Sequence, residues 1–149
     1  MKKIVKLWMA VVALMMVGCS EPDDSGIVFL DVTPNNISGV WRMESYDNGV
    51  KLADGSYYYI VFDRAERTFV TYDNLESMEV VVRSGRYDIA TDGAAVIRGM
   101  YDFGQGDWSH RYYVRNLTLD SMQWVATDDE SITRVYVRAE LPEWIPTEK

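Results

Sequence analysis

Ile37-Ser38-Gly39-Val40-Trp41-Arg42-Met43-Glu44-Ser45-Tyr46-Asp47-Asn48-Gly49 is the stretch on which the fold turns. It follows a polar, proline-containing segment and ends on Asn-Gly, a pair that readily takes the positive-φ positions of a tight hairpin turn. It therefore reads as a first strand, over 38–47, that feeds an antiparallel partner. The same unit recurs along the chain. Asn48-Gly49 and Asp54-Gly55 bracket the first connection, Asp92-Gly93 marks another and Asp128-Asp129-Glu130-Ser131 a third; Ser84-Gly85 and Leu119-Asp120-Ser121-Met122 are further hairpin signals. Between them lie runs rich in Val, Ile, Tyr, Phe and Trp, residues that suit a pleated, half-buried surface. They predict strands over 38–47, 57–63, 67–73, 77–83, 86–91, 94–102, 109–119, 122–127 and 131–139. With 77–91 read as one strand bent at Gly85, the count falls to about eight.

Alternation assigns an inner face to each run. Met78, Val80 and Val82 oppose Glu79 and Arg83, and Tyr87 and Ile89 oppose Arg86 and Asp88. Ile97, Gly99 and Tyr101 oppose Arg98 and Asp102; Tyr112 and Val114 oppose Arg111 and Arg115; Val135 and Val137 oppose Arg134 and Arg138. No stretch of the domain carries a helical period. An all-β chain of consecutive antiparallel hairpins with one apolar face closes economically into an up-and-down barrel of about eight strands, which leaves no free edge. A two-sheet β-sandwich gives nearly the same pattern. The roughly hundred residues from 37 to 140 suffice for one domain with one core.

The chain begins differently. Lys2, Lys3 and Lys6 precede an apolar run from Leu7 to Val17, then Gly18 and Cys19. That run is about half of the ~20 residues a membrane-spanning helix needs, so 1–18 reads as a signal peptide. Met16-Val17-Gly18-Cys19 resembles the bacterial lipobox, with Met16 where Leu is usual. The resemblance implies cleavage before Cys19 and lipidation of its thiol, which also accounts for the single cysteine of the chain. The acyl chains bury dozens of methylenes at ~0.8 kcal/mol each, making a permanent membrane anchor. Residues 19–36 read as the lipidated N-terminus and a tether, in which Ile27-Val28-Phe29-Leu30 is either an edge strand or a segment that docks on the domain. Cys19-Ser20-Glu21-Pro22-Asp23-Asp24 resembles the acidic export signal of Bacteroidetes surface lipoproteins. Localisation is thus expected at the bacterial outer membrane, with display at the cell surface if this stretch is an export signal and either face open if it is a solvated linker.

Gly39-Val40-Trp41, directly after the tether, resembles the first-strand motif of the lipocalins and of lipocalin-like domains on Bacteroidetes lipoproteins. In that family the Trp plugs one end of the barrel and a late basic residue packs across it. Tyr136-Val137-Arg138 followed by Leu141-Pro142 resembles the closing strand, which makes Arg138 the partner for Trp41 and Arg134 the second choice. Simple alternation puts both arginines outside, so the contact requires the strand end to twist. Pro142 and Pro146 exclude the C-terminal helix of true lipocalins from the tail at 141–149.

Loss of the leader would remove three of 15 basic residues and none of the 23 acidic ones, leaving a net charge of −11. Such a surface is repelled by phosphate backbones and argues against nucleic acid. The catalytic inventory is thin. With Cys19 lipidated no thiol remains, and His110 is the only histidine, so His-rich metal sites are excluded. Phosphate loops, zinc spacings and calcium loops are absent from the sequence; Asp128-Asp129-Glu130 lacks the alternate spacing of a calcium loop and reads as a solvated turn. No enzyme, metal or cofactor is expected. Asn36-Ile37-Ser38 and Asn116-Leu117-Thr118 match the N-glycosylation pattern, which a bacterial lipoprotein does not use, and Asp120-Ser121-Met122 resembles the short O-glycosylation site of Bacteroidetes.

Aromatics offer the better lead. Tyr57-Tyr58-Tyr59 places rings on both faces of the second strand, with Tyr58 read as an outer ring. In the loop Phe103-Gly104-Gln105-Gly106-Asp107-Trp108, two large rings flank two glycines, and Trp108 is either a lid or partner anchor at the barrel mouth or a ring folded back onto the core. Tyr58, Phe103, Trp108 and Tyr112 are the candidate ligand contacts. The functional expectation is a lipid-anchored lipocalin-like barrel that binds a small, largely apolar or aromatic ligand. The alternative is a non-catalytic interaction module of an envelope assembly with a partner protein.

Overall fold

The computed structural model describes residues 26–147, so the expected signal peptide and Cys19 lie outside the described residues. A four-residue helix α1 (Pro34–Ile37) leads into β1 (Gly39–Tyr46), followed by β2 (Val50–Lys51), β3 (Tyr58–Asp63), β4 (Thr68–Asp73) and β5 (Val81–Ala90). β6 (Val96–Tyr101), β7 (Tyr112–Arg115), β8 (Ser121–Ala126) and β9 (Thr133–Arg138) complete the order. From β3 to β9 each strand pairs antiparallel with the next; β1 pairs with β3 on one side and β9 on the other, closing an eight-stranded barrel with β2 as an extra flap on β1. The up-and-down barrel is thus the fold, and the sandwich is not. Closure depends on the length of β1, which pairs with β3 over Gly39–Arg42 and with β9 over Trp41–Tyr46 across a bulge between Met43 and Ser45.

The expected strands at 77–83 and 86–91 are one strand, paired with β4 and β6 in unbroken register through Gly85. Glycine is needed there for space: a Cβ would stand 2.8 Å from two ring carbons of Phe69. The inner face of its first half is the reverse of the expectation. Met78 lies before the strand and is 99% exposed, Val82 is exposed, and Arg83 turns inward to an ion pair with Asp73. β9 is also reversed, with fully buried Tyr136 on the inner face beside Arg134 and Arg138 while Val135 and Val137 face out. Apolarity misassigns a face wherever the interior holds cations on aromatic rings and the exterior is valine.

The core fills the barrel from the α1 end upward with Ile37, Trp41, Phe62, Phe69, Tyr112, Trp124 and Tyr136. Ile37 is fully buried, the Trp41 indole N–H donates to its carbonyl at 2.8 Å, and the Leu30 N–H donates to Leu117 O at 2.7 Å. Leu30 and Val32 pack on this core, whereas Ile27, Val28 and Phe29 stay exposed. A second apolar cluster lies outside the barrel, where Ile145 is buried against Tyr59 and Tyr72. All these contacts are made within residues 26–147.

Candidate functional site

One end of the barrel is shut. Arg138 places its guanidinium carbon 3.8 Å from the Trp41 ring centroid and donates to Ser38 O (2.6 Å), Asn36 O (2.9 Å) and Leu119 O (3.2 Å). Gly39 has φ +107°, and a Cβ there would stand 3.2 Å from Arg138 Nη1, so backbone and space both call for glycine. Arg134 is not part of this plug.

The other end is open, and its inner wall is polar. It is built from the start of β3, the end of β4, the starts of β5, β7 and β9 and the end of β6. Arg134 lies over two tyrosines, 5.2 Å from the Tyr112 ring centroid and 5.9 Å from that of Tyr58, and its Nη1 donates to Tyr136 Oη at 3.4 Å. Such cation–π contacts stabilise a desolvated cation by up to ~2 kcal/mol. Burial pushes the Tyr112 hydroxyl up to about 12 against the opposing pull of Arg134, and it also raises Tyr58 and Tyr136. These phenols are therefore neutral donors at physiological pH. Beside them Arg83 bridges Asp73 (3.1 Å) and Glu76 (3.0 Å), and burial lifts the Asp73 carboxyl despite the Leu75 N–H and Arg83.

Above Arg134 a cleft of about 520 Å³ occupies the mouth, walled by apolar Met43, Leu52, Leu75 and Ile132 and by polar Asp47, Ser56 and Ser109. His110 stands on its rim, with Nδ1 2.9 Å from Asp128 Oδ1. Asp128 is the side-chain hydrogen-bond partner of His110 among the described residues. Asp129, in the neighbouring turn, is solvent-exposed and held below the usual carboxylate range by the Ser131 hydroxyl and N–H.

Of the four candidate ligand contacts, Tyr58 and Tyr112 meet at Arg134 and Trp108 lies 6.5 Å from the Tyr112 ring centroid, while Phe103 stands apart. Tyr58 points inward, not outward, and with Tyr112 forms the floor under Arg134; Tyr57 and Tyr59 take the outer face. Trp108 is folded into the core, 4.9 Å from the Phe69 centroid and 5.5 Å from that of Trp124. Its ring fills the space over Gly99, where a Cβ would collide with it, and the Trp108 backbone N–H donates to Gly99 O at 2.9 Å. β6 and β7 pair through only Val96–Tyr113 and Ile97–Tyr112, and the connection between them doubles back to bring this ring inside. Phe103 is 95% exposed on a left-handed backbone turn. The sequence reading missed the cleft walls and the inward Arg134. The available signal was Arg134-x-Tyr136-x-Arg138, which puts one aromatic and two cations on a common face.

No protein-family model matches this chain, and no curated protein is similar to it at a significant level. Two solved structures from Bacteroides uniformis are similar in fold. One, a crystal structure of a lipocalin-like protein, aligns with a TM-score of 0.51 at 17% identity, over 70% of this chain and 99% of that one. The other, an NMR structure, aligns with a TM-score of 0.52 at 20% identity, over 73% of this chain and 94% of that one. At these identities the likeness concerns the fold, and the chain has the lipocalin-like one: a closed antiparallel barrel with almost no helix.

Proposed function

We propose that this protein is a lipid-anchored lipoprotein of the bacterial outer membrane whose barrel binds a small, largely apolar or aromatic ligand at its open mouth. The cleft over Arg134 carries the reading. Its volume of about 520 Å³ falls within the ~300–1,000 Å³ of small-molecule sites, and its wall combines apolar Met43, Leu52, Leu75 and Ile132 with polar and charged groups that can orient a ligand. Below it the barrel is packed with aromatic side chains, so the ligand sits in the mouth instead of threading the interior. Met43, Leu52, Leu75 and Ile132 supply the apolar contacts, with Tyr58 and Tyr112 beneath. Cys19 holds the protein to the membrane.

The test is a screen of apolar and aromatic small molecules against the chain from Ser20 onward, read by thermal shift and tryptophan fluorescence. Saturable binding that Ile132→Trp blocks by filling the cleft is the expected result. Absence of any saturable response, or binding indifferent to that substitution, overturns the reading. A second reading, a non-catalytic interaction module of an envelope assembly, draws on the exposed Ile27, Val28 and Phe29, a contiguous apolar strip of the kind that marks protein contacts. That reading expects no small-molecule response and protection of this strip by a protein partner.

A further inference from the structure

Three arginines point into the barrel, and their surroundings differ. Arg138 has a ring and three backbone carbonyls. Arg83 has two carboxylates, those of Asp73 and Glu76. Arg134 has two tyrosine rings and one long hydrogen bond to Tyr136, and among the described residues no carboxylate lies within 4.0 Å of it. A guanidinium carries five N–H donors in a planar fork and stays charged at any physiological pH. Taking that charge out of water without an anion is costly unless something else compensates it. The tyrosine rings do so in part. The remaining donors belong to the one interior arginine that also lines the mouth cleft.

We infer that the ligand of the mouth cleft is an amphiphilic anion, a carboxylate on an apolar body, whose carboxylate pairs with the Arg134 guanidinium while the body lies against Met43, Leu52 and Ile132. The inference rests on the proposed binding function and narrows it to a chemical class. The surroundings agree with it. Asp128 is engaged by His110 and Asp73 by Arg83, and Asp47, the carboxylate that lines the same cleft, makes no ion pair with Arg134 within 4.0 Å among the described residues, so the guanidinium is left without an acidic partner. The ring faces of Tyr58 and Tyr112 flank the same guanidinium. With a chain this acidic, an anion is drawn in by Arg134 locally and not by the overall charge.

The experiment compares decanoate with 1-decanol, two probes of equal chain length that differ in the charged head, on the chain from Ser20 onward by calorimetry and tryptophan fluorescence. The expected result is a preference for decanoate of about ten-fold or more, the scale of a charge-assisted hydrogen bond. Arg134→Met, which keeps the aliphatic stem, should abolish the preference while decanol still binds; Arg134→Lys should restore part of it. Equal binding of both probes by the unaltered protein overturns the anion inference and leaves the cleft reading standing. Failure of both to bind overturns the two together. The comparison on the unaltered protein decides even if Arg134→Met does not fold, and a preference that survives in a folded Arg134→Met also overturns the assignment.

Discussion

Arg138 covers Trp41 with its guanidinium carbon 3.8 Å from the ring centroid, and the two side chains together close the barrel end on which β1 begins and β9 ends. The indole is fully buried and the cation is held in place by carbonyls of Asn36, Ser38 and Leu119, so the contact ties the segment before β1 to the β7–β8 turn. Truncating a buried Trp to Ala typically costs ~3–5 kcal/mol. Trp41→Ala should therefore unfold or severely destabilise the domain, with Arg138→Met showing a smaller loss, and Gly39→Ala should also destabilise because its φ and its Cβ are both disfavoured. Urea denaturation midpoints check all three.

Trp108 should behave as a core residue. Trp108→Ala should cost ~3–5 kcal/mol, while Phe103→Ala, in solvent five residues earlier, should change stability by less than about 0.5 kcal/mol. Gly99→Ala should destabilise by pushing the Trp108 ring out of its place. A stable Trp108→Ala protein would show that the ring is not needed inside.

The C-terminal tail is fastened by Ile145, which is 3% exposed against Tyr59 and Tyr72. Ile145→Ala should cost ~2–5 kcal/mol, the range for a buried isoleucine. Trp144, mostly exposed, meets Tyr57 edge-on at 4.9 Å, and its removal should cost no more than ~0.5–1.5 kcal/mol. Thermal melts of the two variants should separate clearly.

Asp73 gives stability a pH dependence of known sign. Burial raises its folded pKa above the unfolded value, so between the two the native state holds a proton that the unfolded state has released. Stability should therefore fall as pH rises through that window, from the ordinary aspartate value upward, and Asp73's share of the slope should vanish outside it. Asp73→Asn should remove this component. Unfolding free energies from about pH 4 to 7 provide the measurement.

Cys19→Ala should abolish incorporation of a fatty-acid label and leave a precursor that retains its leader. Persistence of the label in that variant would show that the lipid is attached elsewhere.

The barrel was legible because turn dipeptides and period-two runs are local signals, and the strands from Tyr58–Asp63 to Thr133–Arg138 fall within or close to the expected ranges. Its plug residues were legible through the resemblance carried by Gly39, Trp41 and Arg138, although alternation alone set Arg138 outside. The mouth was not legible. Its walls come from loops and strand ends far apart in the chain, and no spacing brings Met43, Leu75 and Ile132 together before the barrel closes.

The sequence by itself determined an antiparallel all-β chain of consecutive hairpins, since a strand's pattern and its turn chemistry are written in consecutive residues. Only the tertiary structure decided which face of β5 and β9 is inside. That choice rests on what stands opposite each side chain: Arg83 goes in because Asp73 is there, and Arg134 because Tyr58 and Tyr112 are. A cation's cost of burial is a property of its partners, and its partners here are set by closure of the barrel.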